Sequence, residues 1–205
     1  MSTLNRQRHP AVRLISLLLL LAALGSLVLS MVRISFSPLL LSELQQFPGL
    51  GKLPAACVSG GIASYSGLSL AAGGSPTVNA ACLSRIQDAA QANLGVQPLV
   101  LVAVLATLGA VGVNVWGLRW HRLTSGALSA CAAVLLILNA PSLAQVFAGH
   151  FGQGASAVTS GPDAGLWVVD GLLLLVVLAQ LASAGVAWAR RALAPLDEMA
   201  GKGQR

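Results

Sequence analysis

Cys57 and Cys82 are the two residues of this chain best suited to do chemistry together. They lie 25 residues apart in a stretch rich in Gly, Ser, Pro and Ala, whereas the third cysteine, Cys131, sits inside an apolar run. In an oxidising compartment such a pair forms a structural disulfide. Closing a loop of that length stabilises by about 3–4 kcal/mol in the chain-entropy description. A redox-active pair is disfavoured, because there is no Cys-x-x-Cys and no adjacent basic residue to lower a thiol pKa. Cys131 is expected to serve as a small packing residue.

The second chemical feature is Asp170, an acidic residue inside an apolar run. A carboxylate there is costly unless it faces a cavity or a partner, which makes it a candidate ion or partner site. The competing reading is structural and is preferred. At about 6 Å from the end of its run, Asp170 reaches interfacial water or pairs with Arg33. Gln180 and Asn114 are deeper polar positions of the same candidate set, and such residues serve more often as hydrogen-bond glue between helices. His9, His121 and His150 all fall outside the apolar runs, so axial haem ligation between helices is not expected. Gly51-Lys52 lacks the spacing of a phosphate-binding loop, and there is no His-Glu-x-x-His or Gly-x-Ser-x-Gly. No catalytic residue, metal or cofactor is therefore expected, and an enzyme is disfavoured.

The elements that must hold these residues are four apolar stretches, at about 14–32, 97–118, 123–140 and 166–189. Each approaches the ~20 helical residues that cross ~30 Å of hydrocarbon. With 56% hydrophobic and 9% charged residues and a mean hydropathy of +0.79, the chain is too apolar for a water-soluble domain. The expected fold is an all-α membrane protein, a four-transmembrane-helix bundle forming one domain over 1–205, with a disulfide-pinned outer loop containing short helices. The first stretch also has the basic start and apolar middle of a secretory signal, with Ala23-Leu24-Gly25 as a small-residue site. Its continuation through Leu27, Val28, Leu29, Met31 and Val32 favours a retained span.

Charge supplies the orientation. Of twelve Lys and Arg, nine (Arg6, Arg8, Arg13, Arg119, Arg122, Arg190, Arg191, Lys202 and Arg205) fall on one side of the four spans. Cytoplasmic loops carry the basic excess. Segments 1–13, 119–122 and 190–205 are thus expected in the cytoplasm and loops 33–96 and 141–165 outside a plasma or bacterial inner membrane. That compartment is the oxidising one for Cys57 and Cys82. The net charge of +6 is accounted for by this asymmetry and by anionic lipid. Without a basic cluster interleaved with aromatics, nucleic acid is not an expected partner.

In the first loop, Ser37 and Pro38 open a helical pattern over about 35–47, with Leu40, Leu41, Leu44 and Phe47 on one side. It is either a short amphipathic helix at the outer leaflet or a continuation of the first helix past the membrane surface, with Pro38 favouring a break. Turn signals dominate 48–76. A second helix is expected over 77–94, with Leu83, Ile86, Ala90 and Leu94 apolar and Gly95 as its end. The 142–151 part of the second loop either extends the third helix past Pro141 or does not, and the sequence leaves both open.

Small residues recur in the spans: Ser125, Ser129 and Ala133 with Gly126 and Ala130, then Gly109 and Gly112, then Ser183 and Gly185. In lipid such surfaces let helices pack closely, within one bundle or against another membrane protein. Trp116, Trp120, Trp167 and Trp188 sit near the span ends as interfacial anchors. The four spans, inside termini and long first loop with a cysteine pair resemble claudin-like proteins in layout. The Trp-Gly-Leu-Trp motif preceding the paired cysteines of that family is absent, and nothing beyond layout is carried over. Two functions follow as expectations. The first is a non-catalytic partner, scaffold or assembly subunit that binds a membrane protein or a second copy. The alternative is a small transporter, channel or ion-coupled subunit using Asp170.

Overall fold

The computed structural model describes residues 10–37, 61–80, 95–116, 121–150 and 158–202. Four helices dominate: α1 (Pro10–Gly25), α3 (Pro98–Trp116), α4 (His121–His150) and α5 (Ala164–Lys202). A short helix α2 (Gly67–Ala72) lies between the first two. The four long helices are long and apolar enough to cross a membrane, over Ala11–Val28, Pro98–Trp116, Arg122–Asn139 and Ala164–Ala189. A 3₁₀ turn at Ser26–Val28 completes the first of these.

The inward faces follow a three-four repeat. Ser16, Leu20 and Ala23 are buried on α1, with Leu27 in the 3₁₀ turn that follows, and Val100, Ala103, Thr107, Ala110 and Asn114 on α3. On α4 the series is Ser125, Ser129, Ala132, Leu136 and Asn139; on α5 it is Leu166, Val169, Leu173, Val176, Gln180 and Ser183. This spacing is that of helices packed at shallow angles, ridges into grooves. Packing runs as a closed ring, α1 to α3 to α4 to α5 and back to α1. The inner residues include many small or polar ones beside Leu20, Leu136, Leu173 and Val176, while Leu18, Leu21, Leu105, Leu108, Leu174 and Leu178 face outward. In lipid a leucine gains nothing by leaving the surface, so close contact at small side chains decides which face turns in. Pro141 is accommodated within α4, which continues to His150.

One end of the bundle carries a four-stranded antiparallel sheet in the order β3-β2-β1-β4. Its strands are β1 (Ser30–Phe36), β2 (Ala63–Ser66), β3 (Thr77–Val78) and β4 (Val158–Pro162). Central β1 pairs Ile34 with Ala63 of β2 on one side and with Ser160 of β4 on the other, with a bulge between Ser30 and Val32. Met31, Val32, Ile34, Ile62, Tyr65 and Leu70 are buried beneath or within the sheet and join the bundle core in one cluster. Burial pushes the Tyr65 phenol above its ordinary range, so it stays uncharged.

Three expectations are corrected here. The fold is mostly helical but not all-α, because both connections supply strands. The first apolar stretch leaves the helix after Gly25 and enters β1 at Ser30, so Met31 and Val32 belong to the sheet. Ser35 and Phe36, expected at the start of an amphipathic helix, end β1, and Thr77-Val78 forms β3. The physical reason is partnership. β-branched and short polar residues accept extended backbone wherever another strand satisfies their amides, and the strands that do so are far away in sequence. Residues 38–47 and 81–94 of the two expected loop helices lie outside the described residues.

Candidate functional site

Asp163 is the joint between sheet and bundle. It directly precedes Ala164, the first residue of α5, and its Oδ1 accepts from the Ala164 N–H at 2.9 Å. Its Oδ2 accepts from the Ser30 hydroxyl at 2.6 Å, and Arg33 Nη2 donates to Oδ1 at 2.9 Å. The Asp163 N–H donates to the Met31 carbonyl at 2.8 Å, continuing the β1–β4 ladder to the first turn of α5. Burial alone would raise this carboxyl. The Ser30 hydroxyl, the Ala164 amide and the Arg33 guanidinium outweigh it and hold the group below its ordinary value. Gly165 permits the close approach, since a Cβ there would lie 2.4 Å from the Ser30 carbonyl oxygen.

Asp170 lies on the same face of α5, seven residues on, or about 10.5 Å deeper at helical rise. It is only 9% exposed, and neither carboxylate oxygen has a hydrogen-bond partner among the described residues. Both structural roles expected for it are therefore corrected. It does not reach an open surface, and Arg33 pairs with Asp163 instead. The geometry is selective because β1 meets α5 at its first turn, where Asp163 stands and Asp170 does not.

Asn114 and Gln180 sit at the opposite end, and each makes the interhelical bond its type suggests. Asn114 Nδ2 donates to Ser125 Oγ at 2.6 Å and to the Ala110 carbonyl at 2.9 Å. Gln180 Nε2 donates to Ser16 Oγ at 3.0 Å. Ser125 and Gly126 are adjacent, and Gly126 packs against the Gln180 stem, so all four helices contribute to one buried polar layer. Asn114 Oδ1, Gln180 Oε1 and the Ser129 hydroxyl in this layer have no partner among the described residues. At its edge Arg13 donates to the Asn114 and Val115 carbonyls, capping the open end of α3, and Arg122 donates to the Ser183 carbonyl at 3.4 Å.

The candidate set thus divides in two. Asp170 is ten residues, about 15 Å, from Gln180 along α5, so the three residues do not converge on one point. A small void near Asp170 is lined by Ala23, Leu27, Ala103, Thr107, Leu136 and Val169, and none of the three candidates lines it. Among the described residues no three His, Cys, Asp or Glu side chains are grouped as metal ligands would be.

Cys57, Cys82 and Trp120 lie outside the described residues, and so does the cysteine pairing. Cys131 corrects its expected role. It is exposed on the side of α4 away from the core, with a free thiol. Among the small residues, Ser125, Ser129 and Ser183 are buried, while Gly109, Ala130 and Gly185 face outward. Trp116, Trp167 and Trp188 are all strongly exposed near the ends of the apolar spans, Trp167 at the sheet end and the other two opposite. Sequence reasoning missed Asp163, because an acid beside Pro162 at the foot of a span reads as an ordinary helix cap. Only its pairing with Ser30 and Arg33 makes it distinctive. Comparison with protein-family models, with curated proteins and with solved structures finds no match.

Proposed function

We propose that this chain is a non-catalytic scaffold or assembly subunit of a membrane complex, presenting its sheet and loops to a partner on one side of the bilayer. The observation that carries this reading is the fastening of a sheet, drawn from the α1–α3 and α4–α5 connections, to α5 through Asp163. A preorganised surface loses less conformational entropy on binding than two separate loops would. Inside the bundle Asn114 bonds to Ser125 and Gln180 to Ser16, each across two helices, which supports a structural role for this layer.

The basic asymmetry of the sequence supports placing both termini in the cytoplasm and the sheet on the opposite side of the plasma or bacterial inner membrane. In that compartment Cys57 and Cys82 form a disulfide that fixes the loop around β2 and β3. The partner is another membrane protein or a second copy of the chain.

Purification in mild detergent tests the proposal. A stoichiometric membrane partner or a defined homo-oligomer is expected, with Cys57→Ser weakening the association. A stable monomer from the native membrane with no companion would overturn it. A second reading, an ion-coupled subunit, draws on one observation: Asp170 is buried with both oxygens unpartnered among the described residues. Asp170→Asn should then abolish ion flux in proteoliposomes, and unchanged flux removes Asp170 from any such mechanism.

A further inference from the structure

The sheet end of the bundle carries an apolar collar that the scaffold role does not use. Helix α2 is its main part. Ser66 caps it, with Ser66 Oγ accepting from the Ser69 N–H at 3.1 Å, and Gly73 ends it in the left-handed conformation at φ 74°. The chain then returns so that the Gln97 N–H donates to the Leu70 carbonyl at 2.9 Å. This bond ties α2 to the residue immediately before Pro98, where the second span begins. On its other side Gly67 packs against Met31 and Leu27, at the end of the first span. A six-residue helix is therefore held at the level where two spans end.

Its exposed surface is apolar. Leu68 is 57% exposed, Val96 52% and Val28 67%, and Leu29, Trp167 and Val168 continue the rim. Segments 26–32, 61–80, 95–98 and 164–169 contain no charged residue. A collar facing water would be expected to carry charge, as solvated surfaces do. This one continues the outward apolar faces below it, where Leu101, Val102 and Leu105 of α3 are also exposed.

We infer that α2 is a membrane-surface element, with Leu68 and Val96 inserted among the lipid chains of the leaflet on the sheet's side. The occupant of this surface is lipid, and the hydrocarbon boundary runs at the level of Ser30, directly beneath the sheet. Lipid contact at α2 holds the sheet at a set height above the bilayer, with Trp167 as the interfacial anchor on the far side of the bundle. This inference rests on the four apolar helices crossing a bilayer and is independent of any protein partner.

Photocrosslinking of the full chain in native-lipid nanodiscs tests it. p-Benzoylphenylalanine is placed at Leu68, at Val96, at Val102 as a lipid-facing reference, and at Thr159 at the far end of β4. Intact mass analysis after irradiation should find lipid adducts at 68 and 96 in yields comparable to 102, with loss of the adduct at 159. Because Leu68 and Val96 are separate positions, either one serves if the other variant does not fold. Crosslinks from both to protein, or yields as low as at Thr159, would overturn the assignment. Neither result would bear on whether the chain has an assembly partner.

Discussion

Arg33 and Asp163 meet at 2.9 Å across 130 residues of sequence, joining the central strand to the first turn of the last helix. The contact is part of a four-way junction, since the same carboxylate also receives the Ser30 hydroxyl and the Ala164 amide. Its members are unequal. The Arg33 side chain is 47% exposed and that of Asp163 13%.

That inequality orders two substitutions. Asp163→Ala removes a helix cap and leaves Ser30 without its acceptor, and should cost about 1–3 kcal/mol. Arg33→Gln removes only a half-exposed guanidinium and should cost less than about 1 kcal/mol. Thermal unfolding of the detergent-solubilised protein distinguishes them. The reverse order would mean that the ion pair, and not the cap, holds the junction.

Acid should loosen the same junction. The Asp163 carboxyl is lowered from its ordinary 3.8, so its contribution is complete above that value and is lost as pH falls through the lowered folded-state value. Hydrogen exchange at the β1–β4 amides is expected to quicken in that acidic window. In Asp163→Asn the exchange should be fast at every pH tested, with no acid step. A wild-type acid step that persists in the Asn variant would assign it to another carboxyl.

Two glycines of α5 should respond oppositely to alanine. At Gly165 the new Cβ would lie 2.4 Å from a backbone oxygen, which forces β1 and α5 apart at a cost of about 1–3 kcal/mol. At Gly171 nothing lies within 4 Å, so alanine should be neutral or stabilise by up to about 1 kcal/mol through helix propensity. Equal effects at both positions would argue against the close approach of strand and helix.

In the buried polar layer, Asn114 and Ser125 should couple. A double-mutant cycle with Asn114→Leu and Ser125→Ala is expected to give about 0.6 kcal/mol, and at most about 1.7 kcal/mol, as for other interhelical hydrogen bonds in membranes. Gln180→Leu paired with Ser125→Ala should show a smaller coupling, because Gln180 bonds to Ser16. A cycle energy of zero for Asn114 and Ser125 would reduce their contact to mere proximity.

The parts of this protein legible in the sequence are those whose cause is local. A segment of about twenty predominantly apolar residues avoids water regardless of what surrounds it, so the four helices long and apolar enough to cross a membrane could be read directly, with exposed Trp116, Trp167 and Trp188 near span ends. Asn114 and Gln180 were legible as interhelical glue for the same reason. A buried amide in an apolar helix has few other ways to satisfy its donors.

The strands were not legible. Val158–Pro162 reads as loop, and Met31-Val32 reads as the tail of a span, until each is placed against the other. Backbone pairing between residues more than a hundred positions apart leaves no local signature, and strands of two to seven residues carry little periodicity. Arg33 shows the same limit. Two acids, Asp163 and Asp170, stand on one face of one helix, and side-chain chemistry alone does not choose between them.

By itself, then, the sequence determined how many helices are long and apolar enough to cross a membrane and roughly where each lies, because transfer into lipid depends on the composition of each segment. The tertiary structure decided which face of each helix turns inward, that the α1–α3 and α4–α5 connections form one sheet, and that Asp163 is bonded while Asp170, among the described residues, is not. Those outcomes depend on which backbones come within hydrogen-bonding distance, and that distance is a property of the assembled chain.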